Sequence, residues 1–132
     1  MIEPREQNEK KNFSLFARIK SANHAWRGLG IFFKTTHNAW LQIFFGLLAV
    51  YLGFILQISS TEWILLFLTI GIVMITEALN TAIEVDINLT SPEYHPAARD
   101  TKDVAAGAVL ISIFLSVIVA MFIFLPKIIN ML

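Results

Sequence analysis

The chain has 132 residues, 56% of them hydrophobic and 15% charged, with ten Lys and Arg balanced by ten Asp and Glu and no cysteine. A mean hydropathy of +0.66 lies far above that of a soluble domain of this size, so the composition describes a single small membrane-embedded domain, residues 1–132, and excludes disulfide and thiol chemistry. The charge is unevenly spread: seven of the ten basic residues fall within the first 34 positions, Arg99 and Lys102 share one later segment, and Lys127 stands apart.

The N-terminal "MIEPREQNEKKNF" has no apolar run directly behind its charges and does not read as a cleaved signal peptide. Residues 13–35 follow with Phe13, Phe16, Ile19, Trp26, Leu29 and Phe33 at near-helical spacing and a basic face of Arg18, Lys20, Arg27 and Lys34. That pattern predicts an amphipathic helix lying in the membrane interface; the plainer alternative is a basic topology anchor. Gly28 and Gly30 weaken the helix and are expected to permit a bend before the first span.

Three stretches are long and apolar enough to cross a bilayer, which takes about 20 residues: 39–58, 62–85 and 104–125. The short "SSTE" between the first two forces an antiparallel hairpin, while the connection 86–103 is long and polar. An excess of Lys and Arg marks the cytoplasmic side, which puts the N-terminal segment and this second connection, with nine of the ten basic residues, in the cytoplasm and Lys127 outside.

The second span ends in "TEALNTAIEVDIN", residues 76–88, where ionised carboxylates are expensive. On a helix Glu77, Asn80, Thr81, Glu84 and Asn88 share one face, a polar stripe about 16 Å long that must turn toward protein or water. Asn80 and Thr81 alone would read as interhelical glue, and the acids as partners of interfacial Arg or Lys; two carboxylates on one stripe near the cytoplasmic end favour a site. A three-span chain has too few helices to enclose such a stripe alone, so a second copy is expected beside it.

The third span opens with "YHPAARDTKDVAAGAV". Asp100 is the expected N-cap, Lys102 beside a helix start suits a phosphate, and Ala105, Ala106, Gly107 and Ala108 allow another helix to approach closely. Hard carboxylate oxygens suit Mg²⁺, which keeps several waters and bridges carboxylates to substrate phosphates. Acids, a phosphate-binding lysine and a helix at headgroup depth together point to phosphoryl transfer from a nucleotide to a lipid headgroup. An ion or proton pathway along the Glu77 stripe is the competing reading, and it leaves Lys102 unexplained.

"EALNTAIE", then "EYH", then "KDVAAGAV" resembles the signature of the prokaryotic diacylglycerol kinase family, which includes the undecaprenol kinases; the match runs without gaps from Ala25 to about Val109. The family has no P-loop, and none is visible here. The resemblance implies an all-α integral membrane fold of three spans with an interfacial N-terminal helix, assembled as a homotrimer with shared active sites. It implies a multi-pass protein of the bacterial inner membrane with a cytoplasmic N-terminus, using ATP and Mg²⁺ to phosphorylate a lipid alcohol, diacylglycerol or undecaprenol, with no nucleic-acid partner.

Carried over residue by residue, Glu77 matches the catalytic carboxylate and Glu84 a metal ligand. Lys20, His24, Asn80, Glu93, His95, Lys102 and Asp103 match nucleotide-binding positions, and Arg18, Trp26 and Ala106 fall where the lipid is contacted. This chain departs from the pattern at Thr36, which stands where the family has a second metal-binding glutamate, and at Asn88, which stands where it has an aspartate. Either Asp86 or His37 compensates as an auxiliary ligand, or the metal site is crippled and the chain is a slow kinase or non-catalytic homologue.

Overall fold

A computed structural model of the chain describes residues 14–132; Phe13 and the basic residues before it lie outside the described residues. Two compact units divide the chain, Met1–Ile31 and Phe32–Leu132. All regular structure among the described residues is helical: α1 (Leu15–Thr35), α2 (His37–Ile55), α3 (Ser60–Thr90) and α4 (Pro96–Ile129). The last three are each long and apolar enough to cross a membrane.

In the first unit, α1 runs unbroken through Gly28 and Gly30, so the expected bend is not there. The helical backbone breaks instead at Thr36, which is extended (φ −105°, ψ 100°) and caps α2 without a side-chain cap bond. Residues 14–31 are all solvent-exposed, apolar and basic side chains alike.

In the second unit, α2 and α3 form the expected hairpin. Its turn lies at Leu56–Ser59, earlier than "SSTE", with Gln57 in the left-handed region at φ 49°. Ser59 and Glu62 make a reciprocal capping box that satisfies two orphan amides at the start of α3. Glu62 also meets Lys127 of α4 at 3.2 Å, pinning α3 and α4 together at that end. Just inside, Ile58, Leu66, Ile123 and Phe124 form the buried core, with Leu52 and Trp63 packed against it. Here α2 and α3 approach so closely that a Cβ on Gly53 would sit 2.8 Å from the Trp63 ring.

The second and third spans run longer than hydropathy suggests. At 31 and 34 residues, α3 and α4 are about 46 and 51 Å long, well beyond a hydrocarbon core of about 30 Å. The polar connection expected over 86–103 therefore shrinks to residues 91–95, and Asp100, Lys102 and Asp103 lie within α4. Asp100 is not the N-cap; His95 is, accepting the Ala97 N–H on Nδ1, with Pro96 at the first helical position where a missing N–H costs nothing. α3 packs most extensively on α4 and less on α2.

Candidate active site

The polar stripe of α3 turns inward, toward α2 and α4. Three interhelical hydrogen bonds tie it down. Gln42 Nε2 of α2 donates to Glu77 Oε2 at 2.9 Å, the Thr36 and Thr81 hydroxyls meet at 2.9 Å, and Lys102 Nζ of α4 donates to Asn88 Oδ1 at 2.7 Å. A fourth, between the Thr76 and Ser112 hydroxyls at 2.9 Å, lies beside the stripe. The register is antiparallel: six residues forward along α2 from Thr36 to Gln42 match four residues back along α3 from Thr81 to Glu77. Such bonds contribute about 1 kcal/mol each in an apolar setting, so the stripe helps to hold the bundle as well as to carry chemistry.

Depth separates the two acids. Counting from Ser60, Glu77 lies about 26 Å along α3 and Glu84 about 36 Å, so about 10 Å of helix axis separates them. Exposure agrees: Glu77 is 4% exposed and Asn80 8%, while Glu84 and Asn88 are exposed. Glu77 and Asn80 are thus buried within one chain, while the rest of the stripe toward Asn88 is left open.

Asn80 Nδ2 donates to Glu84 Oε1 at 3.0 Å, while its own Oδ1 is buried without a partner; the Gln42 Oε1 is orphaned in the same way. On the same face of α3 as the Glu84 carboxylate lie the Asn80 amide oxygen and the Thr81 hydroxyl, with the Thr36 hydroxyl bonded to Thr81. That is a hard-oxygen set with one formal charge, suited to Mg²⁺ that arrives with most of its ligands as phosphate oxygens and water. It is no preformed cage: among the described residues no group of three or more His, Cys, Asp or Glu is placed to hold a metal. Asp86 lies about 200° around the helix from Glu84 and off the stripe, exposed, and His37 is exposed in the first turn of α2.

The remaining predicted residues fall in two places. Glu93 and His95 lie exposed in the short α3–α4 connection, His95 with its Nδ1 used in capping and Nε2 uncommitted. Asp103 pairs with Arg99 one turn away at 3.7 Å, both well exposed, and Ala106 is exposed on α4. Arg18, Lys20, His24 and Trp26 lie exposed on α1 in the first unit. Beside the stripe, a groove of about 480 Å³ between α3 and α4 is lined by Thr76, Asn80, Asp100, Thr101 and apolar side chains. A second, almost wholly apolar groove of about 570 Å³ runs among α2, α3 and α4 from Gln42 toward Phe124.

Gln42 was not among the sequence-predicted site residues. Its only signal is an amide inside the first apolar span, which also holds Gln57 near its far end. Thr76 and Ser112 were likewise silent, since a hydroxyl in a spanning helix usually bonds its own backbone, as both also do here.

The profile of the family described as "Prokaryotic diacylglycerol kinase" matches residues 23–124. The chain is 38% identical over 109 residues to the undecaprenol kinase of Bacillus subtilis, covering 83% of this chain and 89% of that one. It is 34% identical over 108 residues to the diacylglycerol kinase of Escherichia coli, covering 81% and 88%.

Proposed function

The chain belongs to the prokaryotic diacylglycerol kinase family, and on that premise we propose that it transfers the γ-phosphate of ATP to the hydroxyl of a membrane lipid alcohol at the cytoplasmic membrane surface. The observation that carries this is the burial of Glu77: a carboxylate only 4% exposed, within a helix long and apolar enough to cross a membrane. Its Oε2 is held by Gln42, and Oε1 has no partner among the described residues.

In the proposed step the lipid O–H donates its proton to Glu77 Oε1 as the lipid oxygen bonds to the γ-phosphorus, and the bond from that phosphorus to the β-γ bridging oxygen breaks to release ADP. Lys102 suits the phosphates because its only partner among the described residues, Asn88, is neutral and leaves the ammonium charge unquenched. Mg²⁺, when bound, neutralises phosphate charge; Glu84, Asn80 Oδ1 and the Thr36 and Thr81 hydroxyls are the residues that would hold it. Glu93, His95 and Asp103 are the further nucleotide contacts proposed in the second unit, and Ala106 a lipid contact there; for Lys20 and His24 (nucleotide) and Arg18 and Trp26 (lipid) on α1 the family resemblance alone supports the role. The working form is a homotrimer in the bacterial inner membrane with the N-terminus cytoplasmic, in line with the basic N-terminal segment.

Relatives of both acceptor types leave diacylglycerol and undecaprenol as the candidates. Purified protein incubated with labelled ATP and each lipid should form one phospholipid product far faster than the other. A second reading, a non-catalytic homologue, draws on Thr36: its hydroxyl is spent on Thr81 where a second carboxylate is expected. No transfer to either lipid would favour it.

A further inference from the structure

Gln42 is half-buried in the wall of an apolar groove, and its amide is used on one side only: Nε2 donates to Glu77 while Oε1 is buried without a partner. An unsatisfied buried acceptor costs about 1–3 kcal/mol. A methionine or leucine at this position would remove that orphaned acceptor but leave the buried Glu77 Oε2 without its donor. What glutamine supplies is the donor to Glu77.

Glu77 has rotatable bonds enough to swing its carboxylate along the stripe, toward Thr81 or the Thr76–Ser112 pair. The Gln42 bond fixes Oε2 against α2 and leaves Oε1 as the oxygen open to substrate. We propose that Gln42 is a positioning residue for phosphoryl transfer: it orients the Glu77 carboxylate so that one defined oxygen receives the lipid proton. The inference rests on Glu77 being the base.

The test compares Gln42→Met, which keeps volume but removes the donor, and Gln42→His, whose ring N–H reaches about as far from the backbone, with wild type and Glu77→Gln. Turnover, KM for ATP and thermal unfolding in detergent are measured on each full-length protein. Misplacing a reacting group by about 1 Å costs on the order of 100-fold in rate, so kcat of Gln42→Met should fall by about 30- to 100-fold. KM for ATP should stay within about twofold, and Gln42→His should recover much of the rate whatever the unfolding temperature of Gln42→Met. A Gln42→Met enzyme with wild-type kcat, while Glu77→Gln is inactive, overturns the inference alone. A Glu77→Gln enzyme that retains its rate overturns the base assignment and the inference with it. Parallel loss of rate and stability in Gln42→Met, without recovery in Gln42→His, assigns Gln42 a merely structural role and also overturns it.

Discussion

Replacing Thr36 by glutamate should lower the Mg²⁺ concentration that catalysis requires. Thr36 faces Thr81 on the stripe, one helical turn from Glu84, so a longer acidic side chain there can reach the oxygen set around Glu84. Two unit charges 4 Å apart interact by about 1 kcal/mol in water, so a carboxylate meeting a divalent ion through one water contributes about 2 kcal/mol, or about 30-fold in half-saturating Mg²⁺. Repulsion from Glu84 is present with and without the ion and largely cancels from the binding difference. The cost falls on folding instead, as loss of the Thr36–Thr81 hydrogen bond at about 1 kcal/mol. The assay is turnover against free Mg²⁺ at saturating ATP, with Mn²⁺ binding followed by electron paramagnetic resonance as a second readout. Asp86→Asn and His37→Ala serve as controls and should leave the Mg²⁺ curve in place, because Asp86 is off the stripe and His37 is exposed. An unchanged Mg²⁺ requirement in Thr36→Glu, or a large rise in Asp86→Asn, would refute the assignment of Thr36 to the metal's surroundings.

Lys102→Met removes the charge that Asn88 leaves unquenched, and should raise KM for ATP by at least about tenfold, as expected for a lost charge-assisted contact of about 1.5–3 kcal/mol; steady-state kinetics against ATP would read it. Gly53→Ala drives a methyl group to 2.8 Å from the Trp63 ring, which is wedged between Phe54 and Phe67, and should cost about 1–3 kcal/mol in detergent unfolding without changing KM. Cross-linking in mild detergent should trap a trimer as the largest discrete species; a chain that stays monomeric at every concentration while active would sink the shared-site reading.

Much of this was legible in the residue order, and the failures have physical causes. The stripe from Glu77 to Asn88 follows from a period of 3.6 residues, and its inward turn follows from the cost of charge in lipid. Element ends were harder. Hydropathy marks where a helix leaves the membrane, not where it stops, so the polar last turns of α3 and first turns of α4 read as a loop of 18 residues that is in fact five, 91–95. Asp100 is a good N-cap residue in the wrong place, since His95 and Pro96 already start the helix five residues, about one and a half turns, earlier. Gln42 could not be read at all, because its meaning depends on a partner 35 residues away. Helix counting also ignores how α2, α3 and α4 pack around single side chains: they cover Glu77 and Asn80 and leave Glu84 and Asn88 exposed.

The central claim is that Glu77 is the proton acceptor of a lipid kinase. The most direct test is single-turnover transfer from labelled ATP to lipid in reconstituted vesicles, for wild type and Glu77→Gln, with nucleotide affinity measured on the same samples. Wild type should form labelled phospholipid, and Glu77→Gln should lose transfer by at least about 100-fold, within the range general-base catalysis contributes, while binding nucleotide with near wild-type affinity. Transfer by Glu77→Gln at a rate close to wild type would contradict the account.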